Sequence, residues 1–173
     1  NASPAADPLT PLIALDAWTV IRGRDGERVV TLKDFYTGQG KVGLKEDEFV
    51  KEFTVRKLPE GTVTGFAKLG RRKALAISRL NVSAALRLDE EGRIDFARIA
   101  PGCIFSTPDR VETAENILIG RKPSEELWRE AGKAVSEEMI RRTGIRWSTE
   151  YKQPAVEAIV EDALTECCGS QFA

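Results

Sequence analysis

A chain of 173 residues with 42% apolar and 31% charged side chains has globular composition and room for one domain, or one domain and part of another. Its 26 basic and 27 acidic residues leave a net charge of -1, which argues against a bulk nucleic-acid or membrane-surface binder. It has no histidine, and that removes Ser-His-Asp and Cys-His catalysis together with every histidine-ligated metal site.

A globule of this size hides roughly 70% of its unfolded surface, so neither disulfide nor metal is needed to hold it. The three cysteines, Cys103, Cys167 and Cys168, lack Cys-x-x-Cys spacing. An iron–sulfur cluster takes about four thiolates. These three read instead as small buried hydrophobes in a reducing, cytoplasmic setting. No apolar run approaches the roughly 18 residues of a membrane span, and no signal peptide is visible. Because residue 1 is Asn1 rather than Met, the expectation is a chain that starts inside a longer protein.

In chain order, Asp7 is a helix N-cap candidate with Pro8 as first helical residue and Leu9, Leu12 and Ile13 on one face, so a short helix ending near Ala17 is predicted. Residues 18–22 and 27–32 read as two short strands around the hairpin signal Gly23-Arg24-Asp25-Gly26. Residues 33–43 hold Phe35, Tyr36 and three glycines, and read as a loop with aromatic anchors. Residues 44–55 turn from a polar loop into a strand marked by Phe49, Phe53 and Val55. The stretch Lys57-Leu58-Pro59-Glu60-Gly61 is the best linker, which divides the chain into 1–58 and 59–173.

Beyond that linker, Phe66 to Arg72 is predicted as a strand. From Leu80 to Leu88 every even position is apolar, while 81, 83 and 87 are polar and Ala85 is small. Such alternation predicts a strand with one buried face. The acidic turn ending at Gly92 returns the chain into a strand from Ile94 to Phe105. The apolar period then changes from 2 to 3.6. Ser106-Thr107-Pro108 looks like a helix start, with Val111, Ala114 and Leu118 on one face and Gly120 as stop. Ser124 caps a second helix carrying Leu127, Trp128, Ala131, Ala134, Val135 and Met139, with Gly144 past its end. A third carries Val156, Ile159, Val160, Ala163, Leu164 and Cys167, with Gly169 as stop. Pro154 must lie in its first turn, or else kink a helix begun near Ser148. The predicted class is α+β, a sheet of about three antiparallel strands with three helices over one face.

The pattern Phe66-x-Lys68-x-x-x-Arg72, then Ala74-x-x-Ile77-Ser78, then the strand with Ala84-Ala85, resembles the C-terminal domain of one flavoprotein family. These are the FAD-binding subunits or domains of the molybdenum hydroxylases: xanthine dehydrogenase, aldehyde oxidase and carbon monoxide dehydrogenase. The opening residues 1–7 resemble the segment after the family's second Gly-Gly-Asn flavin loop, where a tight turn leads to a cofactor-contacting aspartate. The Gly-Gly-Asn itself is absent. Pro108-Asp109-Arg110, residues 115–120 and the run Arg146 to Lys152 extend the resemblance over essentially the whole chain.

The resemblance implies a carbon monoxide dehydrogenase flavoprotein C-terminal-like domain (59–173), preceded by the tail of an FAD-binding α/β domain (1–58). It implies FAD in the full-length parent, with molybdopterin and iron–sulfur clusters on partner subunits or domains. Electrons would pass from those clusters through FAD to NAD or another acceptor, and this piece alone would be inactive. The cofactor-binding residues so implied are Asp7, Phe49, Val50 and Lys68, with Glu48 as an acidic neighbour; no catalytic or metal residue is implied. Read without the family, Asp7 is an ordinary cap, Phe49 and Val50 are core, and Lys68 is a solvated strand lysine. The run Arg71-Arg72-Lys73 is either solvated or an anion site at a helix start. Two rivals are a subunit-assembly scaffold that has lost FAD and a nucleic-acid module built on that basic run. The charge balance and the lack of interleaved aromatics count against the second.

Overall fold

The computed structural model describes residues 2–72 and 75–169. Asn1 of the opening segment, Lys73 of the basic run and Ala74 of the family pattern lie outside the described residues.

The chain begins with the short helix α1 (Leu9–Ala14), then strands β1 (Trp18–Gly23) and β2 (Gly26–Thr31). Gly23 pairs with Gly26, so Arg24 and Asp25 form the two-residue hairpin loop that the sequence predicts. The predicted loop 33–43 is instead ordered as a helical turn α2 (Leu32–Phe35) and a small ribbon, β3 (Tyr36–Gly38) with β4 (Lys41–Val42). The reason is local: Thr31, in extended conformation, accepts the Asp34 N–H on its hydroxyl and so nucleates the turn. β5 (Phe49–Thr54) then joins β1 to give an antiparallel sheet ordered β2-β1-β5. Phe49, Phe53 and Val55, the apolar markers of the predicted strand, are about half exposed, and Phe49 is therefore not the core residue that a reading without the family expects. β5 is an edge strand, and its Val50 is the side chain that packs against the core of Leu9, Ile13, Ile21, Leu32 and Phe35.

The second sheet is β6 (Val63–Gly70), β7 (Ser78–Leu88) and β8 (Ile94–Gly102), antiparallel in that order. Leu80, Val82, Ala84 and Leu86 are buried as the alternation predicts, in one core with Leu127, Trp128, Val135, Val160 and Leu164. The opposite face differs from expectation. Asn81, Ser83 and Ala85 are also buried, because α1 lies across that side, with the Ser83 hydroxyl donating to Thr10 Oγ1 at 3.0 Å. β8 ends at Gly102 rather than Phe105.

Helix α3 (Glu112–Leu118) starts later than Ser106-Thr107-Pro108 proposes. Val111 gives its N–H to the Ile99 carbonyl, and the Glu115 carboxylate accepts the Ile99 N–H at 2.9 Å, so the stretch before the helix is tied to β8. α4 (Glu125–Thr143) is capped by Ser124, whose hydroxyl accepts the Leu127 N–H, and stops at Gly144. α5 (Thr149–Cys168) begins just after Ser148, so Pro154 lies inside it and not in the first turn. α3 and α5 rest on the sheet and α4 packs against both.

β6 approaches α5 so closely that a Cβ on Gly65 would sit 2.1 Å from the Ala163 carbonyl oxygen. Beside it, the Glu166 carboxylate accepts the Phe66 N–H at 2.7 Å. Gly65→Ala must therefore push strand and helix apart, and an overpacking cost of roughly 1–3 kcal/mol is expected. The neighbouring, exposed Thr64→Ala should change stability by less than about 0.5 kcal/mol. Urea denaturation midpoints of the two variants test this directly; equal midpoints would refute the close-approach argument.

Candidate functional site

Asp7 precedes α1 but does not cap it. Pro8 takes the N-cap position, and no side chain accepts a hydrogen bond there. The carboxylate turns instead to the β6-β7-β8 sheet, where three donors converge on it. Lys68 Nζ donates to Oδ2 at 2.5 Å, Ser78 Oγ donates to Oδ1 at 2.6 Å, and Asn81 Nδ2 lies 3.4 Å from Oδ1. A charge-assisted bond from an ammonium is stronger than one from a backbone amide, which is why the predicted cap loses. Burial alone would raise the Asp7 carboxyl, but the hydrogen bonds from Lys68 and Ser78 outweigh it and hold the group below the usual aspartate range.

The preceding residues deliver this aspartate through a tight turn, with the Ala6 N–H on the Ser3 carbonyl and the Ala5 N–H on the Ser3 hydroxyl. Behind the turn, Cys103 takes a left-handed conformation with φ of 66° and aims its thiol at the carbonyls of Pro4 and Ser78. Burial pushes that thiol above its ordinary range, so it stays protonated and acts as a donor. Lys152, in the first turns of α5, donates to the Cys103 carbonyl at 2.5 Å. The Arg146-to-Lys152 motif is thereby tied to the same corner as the opening segment.

The structure thus brings together two of the four residues singled out, Asp7 and Lys68. Their side chains are 42% and 28% exposed, so the pair is open to a ligand. Phe49 and Val50 lie on β5 in the other sheet, Phe49 with its ring exposed and Val50 partly buried. Just before them, Glu48 is held by Nε and Nη2 of Arg28 at 2.8 and 2.7 Å and by the Lys45 N–H at 2.8 Å, and these bonds lower its carboxyl to about 2. Arg28 also reaches the Gly43 carbonyl, so one guanidinium fixes the loop leading to Phe49. Of the basic run, Arg72 turns back onto the Leu75 carbonyl and Arg71 is exposed. No helix starts among residues 71, 72 and 75–77, so the proposed helix-start anion site is not formed there.

Sequence reasoning assigned no role to Ser78, Asn81 or Lys152, and it read all three cysteines as buried hydrophobes, whereas Cys167 is buried, Cys103 and Cys168 are half-buried, and the Cys103 thiol is a donor. Ser78 stands in the quoted pattern, but Asn81 looked like a polar residue on a solvated strand face. The only signal for it was its register opposite Lys68, which the alternation alone could not supply. A groove of about 640 Å³ runs from Asp16 and Trp18 past Pro59 to Phe96 and Arg98, and includes none of Asp7, Phe49, Val50 and Lys68. Its Arg98 and Arg110 are both paired with Asp16 at 2.7 Å, and Arg110 also grips Glu115. Among the described residues, no group of His, Cys, Asp or Glu side chains is placed to hold a metal, and no helix is long and apolar enough to cross a membrane.

Residues 66–167 match the family model described as CO dehydrogenase flavoprotein C-terminal domain, and residues 1–57 match that described as FAD binding domain in molybdopterin dehydrogenase. The nicotinate dehydrogenase FAD-subunit of Eubacterium barkeri is 28% identical over 169 residues, covering 96% of this chain and 57% of that one. The xanthine dehydrogenase FAD-binding subunit of Escherichia coli O157:H7 is 28% identical over 167 residues, with coverage of 96% and 57%. The chain therefore spans little more than half the length of these relatives. Carbon monoxide dehydrogenase from Hydrogenophaga pseudoflava, in a form lacking the Mo-pyranopterin moiety of the molybdenum cofactor, aligns with a TM-score of 0.82 at 24% identity over 99% of this chain and 59% of that chain. That likeness establishes the fold, an α+β arrangement of antiparallel sheets and helices.

The Glu48 pair gives a pH dependence of definite sign. Its folded pKa, about 2, lies below the ordinary glutamate value of 4.5. Its stabilising contribution is complete above that ordinary value and is lost as pH falls toward 2. Glu48→Gln should lower stability at pH 7 and flatten the decline between pH 4.5 and 2, measured as urea midpoints across that window. A variant declining as steeply as the parent would show that the pair carries none of the acid sensitivity.

Proposed function

The chain belongs to the CO dehydrogenase flavoprotein C-terminal domain family, and on that premise we propose that it is part of the FAD-binding component of a molybdenum-hydroxylase-type oxidoreductase. In this reading residues 1–58 are the tail of the FAD-binding domain and 59–173 its C-terminal cap. The observation that carries it is the meeting of Asp7 and Lys68, 61 residues apart in sequence, at an open edge between the two parts.

The residues present fit the polar edge of a flavin. An isoalloxazine carries carbonyl acceptors and an N–H donor on that edge, and the pair offers a cationic donor beside an anionic acceptor. When bound, FAD supplies the redox chemistry, taking electrons from iron–sulfur clusters and passing them to NAD or another acceptor. The chain's own residues orient and bias it. Lys68 places a positive charge where negative charge gathers, and Asp7 fixes the lysine. Phe49 and Val50 offer an exposed ring and an apolar wall. The names of the relatives, an FAD-subunit and an FAD-binding subunit, agree with this assignment. The kept Asp7–Lys68 pair weighs against a scaffold that has lost FAD.

The partners in this reading are the molybdopterin-binding and iron–sulfur subunits or domains, together with the remainder of the FAD-binding domain, in the cytoplasm. The link between α4 and α5 holds Ile145 and Trp147 out to solvent at 85% and 94% exposure, apolar surface suited to burial against a partner chain.

In the full-length parent, Lys68→Ala should lower FAD affinity about tenfold or more, at roughly 1.5–3 kcal/mol for a charge-assisted hydrogen bond and about 1.4 kcal/mol per factor of ten. Arg72→Ala, whose guanidinium among the described residues bonds the local Leu75 carbonyl, should retain flavin. Flavin absorbance per protein after gel filtration measures both; equal contents would defeat the assignment. Trp147→Ser should reduce co-purification of partner chains without loss of flavin, read from the same column. Unchanged co-purification would remove that link from the docking surface.

A further inference from the structure

Three strands present one transverse row beneath Asp7. Lys68 on β6 pairs with Asn81 on β7, which pairs with Gly102 on β8. Asn81 is fully buried, and among the described residues its Oδ1 has no hydrogen-bond partner. A buried amide with an idle oxygen lowers stability, and an apolar side chain would pack there without that cost. What the amide contributes is its Nδ2, directed at Asp7 Oδ1.

Gly102 makes room for it. A Cβ there would sit 1.9 Å from Asn81 Oδ1 and 2.9 Å from Thr10 Cγ2, and the backbone is not in the left-handed region, so space alone demands glycine. Ser78, itself buried, reaches the same Asp7 oxygen from the start of β7 at 2.6 Å. Two sheet residues thus hold Oδ1 from below, and the other oxygen is left to Lys68.

We propose that Ser78 and Asn81 are positioning residues for FAD binding: they lock the Asp7 carboxylate in one orientation, so that the Asp7–Lys68 pair presents a fixed edge to the flavin. This rests on the reading that Asp7 and Lys68 contact FAD. The two residues act through Asp7, so their effect must vanish when Asp7 does, whereas a general structural role would persist.

The test is a double-mutant cycle in the full-length parent, with FAD dissociation constants from flavin fluorescence and thermal midpoints alongside. Ser78→Ala and Asn81→Ala should each weaken FAD about three- to tenfold with Asp7 present, and Ser78→Thr, which keeps the hydroxyl, should restore affinity. In an Asp7→Ala background neither should weaken it further. Should Asn81→Ala fail to fold, Ser78→Ala with its threonine rescue decides the matter alone. If Asp7→Ala weakens FAD but Ser78→Ala does not, or if the losses add in the Asp7→Ala background, the positioning role is overturned and the flavin assignment stands. If Asp7→Ala leaves affinity unchanged, the flavin assignment falls and the positioning role with it.

Discussion

A single carboxylate, that of Asp7, decides how the opening segment meets the second sheet. Had it capped α1, the segment would end as a helix terminus satisfied within itself. Drawn to Lys68, Ser78 and Asn81 instead, it pins α1 across β7, and that placement buries the strand on its second side. The tight turn before it, the strained Cys103 and the lysine from α5 all close around the same corner. In the proposed flavin role, the Asp7–Lys68 pair, held there by elements from both ends of the chain, needs little reordering when a ligand arrives.

A second line of charge runs along the same seam. Asp16, just past α1, pairs with Arg98 of β8 and with Arg110, which in turn grips Glu115 of α3. Lys33 meets Asp109, and Asp109 meets Arg142, whose guanidinium also lies over the Phe105 ring. Burial pushes Glu115 above its ordinary range, against the pull of the Ile99 N–H and Arg110. Such pairs add little net stability, because desolvation offsets their attraction. Their geometric demand does more: Arg110 holds Glu115 with two nitrogens and turns its third to both oxygens of Asp16 across the seam.

Much of this was legible in the sequence, for reasons that differ by element. The alternation from Leu80 to Leu88 and the 3.6-residue faces of α4 and α5 announce themselves because burial on those faces is apolar and periodic. Ser124 and Gly144 mark α4 because cap chemistry is local. The failures came where distant partners override local preference. Asp7 looked like a cap until the sheet supplied better donors, and residues 106–108 looked like a helix start until β8 claimed Val111. Asn81 looked solvated because nothing near it in sequence reveals that α1 lies above. Lys68 and Asp7 were reached by family resemblance; the chain's own pattern gave no hint that they would meet.

The face of β7 beneath α1 is made of Asn81, Ser83 and Ala85, polar or small, whereas the face beneath α5 is made of Leu80, Val82, Ala84 and Leu86. The two sides of one strand therefore separate at very different cost. Peeling α5 away would bare oily surface, but lifting α1 would bare Asn81 and Ser83, which water can satisfy, with Leu9 and Ala100 as the apolar part. In that respect the joint between the halves is closer to a transient contact between neighbouring proteins than to a core.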